Sequence, residues 1–144
     1  MKLTIGRTDK ADFHELSLED IDIKIDSGAY TSSIHCSDIK QFTKGSEQFI
    51  SFTLLDPEHK LYTNKQFTFK KYSAKKVKSS NGQSEERFMI QTTIEIFNKS
   101  FPIYLTLSER KKMKFPILIG RKFLNNKFII DPSKKNLSHK LKTN

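Results

Sequence analysis

The tripeptide Asp26-Ser27-Gly28 follows directly after an alternating apolar segment. Glycine permits a sharp turn and the close approach of another backbone, and the serine hydroxyl can fix the hydrogen bonds around it. The aspartate is then left pointing from the end of a strand, as a candidate catalytic carboxylate. Asp-Ser-Gly is also an ordinary turn sequence in which the polar side chains cap backbone amides, and taken alone it favours that interpretation.

A second segment, from Phe115 to Leu124, favours a catalytic role of Asp26 over a turn-capping role. It reads Phe-Pro-Ile-Leu-Ile-Gly-Arg-Lys-Phe-Leu, an apolar run that ends at Gly120-Arg121 and continues into about one turn of helix. By itself it indicates a buried strand that ends at a helix, with glycine at the junction. The two motifs in this order, on an all-β background, are much rarer together than either is alone.

Short alternating strands dominate the rest of the chain. Apolar and polar residues alternate through Ile21–Ile25, and β-branched residues fill the segment from Phe88 to Ile96. Turn residues recur between such segments. The pattern predicts an all-β sandwich or barrel. We expect a closed or nearly closed antiparallel barrel in which Ile21–Ile25 lies beside Ile117–Ile119, with one short helix near the C-terminus.

The sequence resembles the bacterial retropepsin-like aspartic protease family that is catalogued under the name ATP-dependent zinc protease. The likeness extends from Ile5-Gly6-Arg7 to Pro132, which is nearly the whole chain. It is carried by Ile23-Lys24-Ile25-Asp26-Ser27-Gly28-Ala29, Thr31-Ser32-Ser33-Ile34-His35, Val77-Lys78-Ser79-Ser80-Asn81-Gly82 with Glu86-Arg87, Ile119-Gly120-Arg121 and Phe128-Ile129-Ile130-Asp131-Pro132.

This resemblance implies an aspartic peptidase whose catalytic loop consists of Asp26, Ser27 and Gly28. Aspartic proteases place two carboxylates on one water, and the pair shares a proton because two like charges so close together cannot both form. The chain contains one Asp-Ser-Gly sequence. A homodimer in which each subunit contributes Asp26 would supply the pair.

The resemblance also implies a flap over the substrate. Asn-Gly is the strongest hairpin-turn dipeptide, and it occurs here at Asn81-Gly82. In the retropepsin comparison, Ser80, Asn81 and Gly82 would contact the peptide from the flap and Ala29 would contact it from the catalytic loop. An ordinary surface hairpin fits the same residues. An additional hairpin, at roughly residues 45–70, must fit between the catalytic loop and the flap.

Two residues depart from the family pattern. Ser27 stands where the family usually has threonine, which keeps the hydroxyl. Tyr30 stands where retroviral enzymes carry an acid and many family members carry arginine. In the retropepsin comparison, Gly120 and Arg121 would form the structural motif that crosses behind the catalytic loop, and in retroviral enzymes the acid pairs with this arginine. The sequence therefore leaves the partner of Arg121 open.

The charge of the chain keeps a second class of function open. Its 26 Lys and Arg exceed its 16 Asp and Glu, and the formal net charge is +10. A basic surface attracts acidic polypeptide, nucleic acid or anionic membrane. An acidic peptide substrate fits this charge, but so does a non-enzymatic binding module for acidic polypeptide or RNA, of which nucleic acid is the less favoured ligand. A binding module would lose affinity steeply with salt.

The histidines and the single cysteine do not indicate a metal site. His35 and Cys36 are neighbours and would face opposite sides of a strand, and no His-Glu-x-x-His or Cys-x-x-Cys spacing is present. No glycine-rich loop suited to ATP phosphates is present either. We therefore expect neither metal nor cofactor, and we expect Cys36 to be a buried structural thiol.

A length of 144 residues predicts one compact domain, at 1–132, followed by a basic, frayed tail at 133–144. No run of about 18 apolar residues that could span a bilayer is present. The N-terminal residues lack the apolar run of a signal peptide. The sequence thus predicts a cytoplasmic protein that does not interact with membranes.

Overall fold

Strands make up most of the chain in the structure, a computed structural model that describes residues 1–70, 73–78, 82, 84–109 and 114–143. The strands are β1 (Leu3–Ile5), β2 (Thr8–Phe13), β3 (Leu18–Ile25), β4 (Ser32–Lys44), β5 (Glu47–Leu54), β6 (Gln66–Lys70), β7 (Ser73–Lys78), β8 (Ser84–Ile96), β9 (Lys99–Ser108), β10 (Ile117–Ile119) and β11 (Phe128–Ile130). A 3-10 turn covers His14–Leu16, and the helices are α1 (Arg121–Leu124) and α2 (Leu137–Thr143). No helix in these ranges is long and apolar enough to cross a bilayer.

Six strands close into a barrel in the order β10, β3, β2, β8, β9, β4 and back to β10. The predicted all-β, retropepsin-like barrel is thereby confirmed, as is the predicted pairing of β3 with β10, which joins Ile23 to Ile117 and Ile25 to Ile119. The barrel is not antiparallel throughout, because β3 runs parallel to β10 and β4 runs parallel to β9. Parallel neighbours require long connections, and the members of both pairs lie far apart in the chain.

The barrel is filled by the apolar members of its alternating strands. In β3, Ile21 and Ile23 are fully buried. Lys24, which follows Ile23, is exposed. Phe13 and Leu105 contribute in the same way from β2 and β9. Each such side chain stabilises the fold by about 1.5–3 kcal/mol when it leaves water. The catalytic-loop candidate therefore begins at the end of one of the most deeply buried strands.

Two hairpins accompany the barrel. The expected additional hairpin is formed by β5 and β6, which extend β4 as an antiparallel sheet. The hairpin expected around Asn81-Gly82 is formed by β7 and β8, which pair from Ser73 with Met89 to Lys78 with Ser84, and its role as a flap stays a prediction. Gly82 near its tip has a φ of +85°, a conformation that glycine adopts at little cost.

The C-terminal segment is not the frayed tail that the sequence suggests. Its helix α2 packs on β2, and the buried carboxylate of Asp9 accepts hydrogen bonds from the backbone amides of Ser138 at 2.9 Å and His139 at 3.1 Å. The hydroxyl of Ser138 in turn accepts one from the amide of Phe97 at 2.7 Å. An acidic group that caps the first turn also matches the positive end of the helix dipole.

The other end of α2 is held by an ion pair. The Lys142 ammonium donates to both carboxylate oxygens of Asp12, at 3.1 and 2.9 Å, and to Asp20 at 2.9 Å. Burial alone would raise the pKa of Asp12, but the hydrogen bonds from Lys142 and from the Asp20 amide outweigh it and hold the pKa below its usual value of 3.8. A carboxylate whose pKa is depressed on folding stabilises the protein above its unfolded pKa and ceases to do so as the pH falls through the folded value.

We therefore expect Asp12→Asn to lower the melting temperature at neutral pH, and we expect this difference from the wild type to shrink below about pH 4. Melting curves recorded across the acid range measure it. Glu58→Gln, a change at an exposed acid in a turn, serves as the control and should follow the wild type at every pH. A difference in melting temperature that stays constant into strong acid would contradict the stabilising role of the Asp12 charge.

Candidate active site

The loop that carries Asp26 is fixed where β3 ends. The amide of Asp26 donates to the carbonyl of Ile119 at 2.9 Å, so the parallel pairing with β10 reaches the first residue of the loop. The amide of Ala29 then donates to the carbonyl of Asp26 at 3.2 Å and closes a tight turn. The backbone of the candidate catalytic residue is thereby tied to two buried strands.

The Asp26 carboxylate is oriented by its own loop. Its Oδ1 accepts a hydrogen bond from the amide of Gly28 at 3.0 Å, and the side chain is partly exposed. A Cβ added at Gly28 would lie 3.3 Å from Oδ1, which is tighter than ordinary contact. Within the described part of the chain, the other oxygen, Oδ2, accepts no hydrogen bond. One oxygen is therefore anchored while the other can receive or donate a proton.

Gly120 permits the second motif to cross directly behind this loop. A Cβ added there would lie 2.6 Å from the carbonyl oxygen of Thr31 and 2.7 Å from that of Tyr30. The Gly120 amide donates to the buried hydroxyl of Ser32 at 3.0 Å. Two backbones can approach this closely only where one of them lacks a side chain. The structure thus joins the two motifs that the sequence analysis singled out.

Arg121 has a partner of a different kind from the acid of retroviral enzymes. Its amide donates to the carbonyl of Ala29 at 2.9 Å, and its Nη1 donates to the carbonyl of Ser27 at 2.8 Å. Its guanidinium also lies 5.8 Å from the centre of the Tyr30 ring, within the range of a cation–π contact. An aromatic ring thus lies beside the guanidinium at the position where retroviral enzymes carry an acid.

The remaining residues predicted from the sequence divide into two groups. Ser27 is exposed in the loop, and Ala29 is half-buried and pairs with Arg121, so both lie in the immediate surroundings of Asp26. Gly82 lies in the β7–β8 hairpin, and its predicted contact with substrate stays a prediction. Ser80 and Asn81 lie outside the described residues, so their predicted contact with substrate stays a prediction.

Cys36 is fully buried in the barrel core, as expected. Burial raises the pKa of its thiol to about 12, although a hydrogen bond with the Ser108 backbone acts in the opposite direction. A thiol with so high a pKa carries almost no thiolate at neutral pH. The cysteine therefore contributes to packing.

One group of potential metal ligands lies within the described residues, and it includes none of the catalytic residues predicted from the sequence. Oxygen or nitrogen atoms of Asp12, His14 and Glu95 all lie within 4.8 Å of one another. His14 and Glu95 form an ion pair, which raises the pKa of His14 above its usual value chiefly through the hydrogen bond between them. Asp12 already binds the ammonium of Lys142. A metal would therefore have to compete with Lys142 for the Asp12 carboxylate.

A cavity that the sequence did not reveal lies next to the loop. It has a volume of about 210 Å³ and is bordered by Thr31 and Ser32 on one side and by Tyr104 and Lys122 on another. No local pattern distinguishes Lys122 from the many other lysines, because its position depends on how α1 packs against the barrel. The adjacent Gly120-Arg121 motif was the only signal near it.

A six-stranded barrel with an Asp-Ser-Gly loop and a glycine-ended strand crossing behind it defines the retropepsin-like class of proteins. The chain belongs to the RimB-like family, described as "Retropepsin-like aspartic endopeptidase RimB", which it matches over residues 4–141. That description mentions neither zinc nor ATP. In fold, the chain is similar to the crystal structure of a protein of unknown function from Legionella pneumophila, with a TM-score of 0.75, 23% identity, and coverage of 96% of this chain and 99% of the other.

Curated relatives carry a different name. The chain is 34% identical over 132 residues to a "Probable alpha-L-glutamate ligase" of Shewanella pealeana, covering 92% of this chain and 29% of that protein. It is 35% identical over 136 residues to a protein of the same name from Desulfotalea psychrophila, covering 92% and 28%. The chain thus spans less than a third of the length of these relatives.

Proposed function

We propose that this chain is an aspartic endopeptidase that works as a homodimer, with Asp26 of each subunit forming the catalytic pair. The observation that carries the proposal is the anchored carboxylate of Asp26, which emerges from a buried strand in a loop that the Gly120 segment supports from behind. A loop held on both sides keeps a catalytic group within the narrow geometric limits that catalysis requires. Membership of the retropepsin-like family supports the same chemistry.

In this mechanism the two carboxylates hold one water between them. One carboxylate is ionised and takes a proton from the water, and the other is protonated and polarises the scissile carbonyl. The hydrogen bond from the Gly28 amide to Oδ1 fixes the rotation of each Asp26 side chain. Oδ2 is left to exchange the proton. Each subunit supplies one carboxylate, so an isolated subunit lacks half of the site.

We further propose that the substrates are peptides rich in acidic residues. The relatives named glutamate ligases contain a region similar to this chain, and their name concerns glutamate. The chain itself carries a formal net charge of +10. A basic surface raises the local concentration of an acidic peptide and speeds its association, and this effect is screened by salt.

Hydrolysis of matched peptides tests the proposal. The purified chain should cleave a glutamate-containing peptide faster than the same peptide with glutamine, and the difference should shrink as the salt concentration is raised. The rate should be bell-shaped in pH, with both limbs belonging to the pair rather than to either residue. Failure to cleave any peptide, together with salt-dependent binding of acidic peptide or RNA, would favour the binding module instead.

A further inference from the structure

The cavity beside the catalytic loop has the size of a side-chain pocket. It lies between α1 and the strands β8 and β9, and its apolar lining includes Met89, Ile103 and Phe123. Its volume is about 210 Å³. A cavity of about 150 Å³ is sufficient to hold a benzene molecule. The pocket can therefore hold one long side chain.

Its position places it within reach of a peptide bound at Asp26. Thr31, on the rim, follows Asp26 by five residues, and an extended chain of that length spans at most about 18 Å. The α1 side of the cavity is tied to the same loop, because the amide of Lys122 donates to the carbonyl of Tyr30 at 2.9 Å. For one of its side chains to enter the cavity, a peptide cleaved at Asp26 would have to extend over a distance of at most about 18 Å, which about five extended residues span.

Two lysines, Lys122 and Lys127, border the cavity. The exposed ammonium of Lys122 lies 4.5 Å from the centre of the Tyr104 ring. Lys127 donates to the carbonyl of Phe123 at 3.0 Å. Within the described ranges neither lysine is paired with a carboxylate. An apolar lining with uncompensated ammonium groups suits a carboxylate on a short apolar arm, which is the structure of a glutamate side chain.

We propose that this cavity is a specificity subsite that receives a glutamate side chain of the substrate, with Lys122 binding its carboxylate. This inference rests on the proposed function, and it assigns the acidic preference to one position of the peptide. General attraction by the basic surface would favour acidic residues at every position instead. The two explanations therefore predict different rates of cleavage when a single glutamate is moved along the peptide.

Equal-length peptides in which one glutamate is moved along an otherwise neutral sequence separate these explanations. One position should give the highest kcat/KM. Lys122→Gln should raise KM about two- to fivefold for that peptide alone, with kcat unchanged, because an ion pair with an exposed ammonium is lost. Lys122→Arg should restore most of the effect. Lys40→Gln, which removes an exposed lysine on the β4 extension, is the control and should change nothing.

An equal effect of Lys122→Gln on every peptide, or no effect on any, would overturn the subsite while leaving the peptidase activity established. If the wild type cleaves none of the peptides, the proposed function fails, and calorimetric binding of the same peptides then decides the subsite. A glutamate-dependent increase in Kd with Lys122→Gln would support the cavity as a carboxylate site. Equal Kd values for wild type and variant would overturn it.

Discussion

Asp26→Asn is expected to abolish peptide hydrolysis and to leave the fold nearly unchanged. Asparagine keeps the shape of the side chain and the oxygen that accepts the hydrogen bond from the Gly28 amide, so the loop should persist. It cannot act as a base or hold a shared proton. Loss of acid–base catalysis reduces rates by about 10²- to 10⁴-fold, which in this mechanism should place the variant below detection.

Rates of hydrolysis and melting curves of both proteins measure this prediction. Asp38→Asn is the matched control, because Asp38 is exposed and has a positive φ that asparagine also adopts. It should leave activity and stability unchanged. If Asp26 only caps a turn, asparagine should be close to neutral, since it caps turns equally well. A folded Asp26→Asn variant that still cleaves would remove this residue from the mechanism.

Gly120→Ala is expected to lower the stability of the fold strongly. The added methyl group would lie 2.6 and 2.7 Å from two backbone carbonyl oxygens, neither of which can rotate away as a side chain would. The crossing segment must then move and lose its hydrogen bonds to the carbonyls of Ala29 and Tyr30. We expect a loss of about 3 kcal/mol or more in the free energy of unfolding.

Denaturant unfolding measures this loss. Gly45→Asn is the control, because a Cβ at Gly45 meets nothing within 4 Å and asparagine tolerates the positive φ of +66° found there. This control change should lower the free energy of unfolding by well below about 1 kcal/mol. Wild-type stability in Gly120→Ala would show that the two motifs do not press against each other as the structure places them.

The barrel and the joining of the two motifs could be predicted because they depend on local signals. The alternation through Ile21–Ile25 specifies which face is buried, and a one-residue slip would expose all of its isoleucines. Glycine in each motif predicts a close backbone approach. The carbonyls of Tyr30 and Thr31 confirm this at Gly120, whereas an added Cβ at Gly28 would meet the Asp26 side chain and not another backbone. The direction of β10 relative to β3 carries no such signal, and there the antiparallel prediction was wrong.

The C-terminal helix could not be predicted, because its stability is not local. A helix as short as Leu137–Thr143 does not form alone in water. It is fixed by Asp9, 129 residues before Ser138, and by Asp12, 130 residues before Lys142. The partner of Arg121 was left open for a related reason, since a ring face and a carbonyl oxygen stand in place of the acid of retroviral enzymes.

Mixing wild type with Asp26→Asn tests most directly whether the catalytic pair is shared between subunits. After exchange of subunits, a fixed amount of wild type should keep about half of its activity with an equal amount of the variant and about a tenth with a tenfold excess, because mixed dimers carry one carboxylate. Asp38→Asn added in the same amounts should not inhibit. Activity that stays constant at every ratio would contradict a site built from two copies of Asp26.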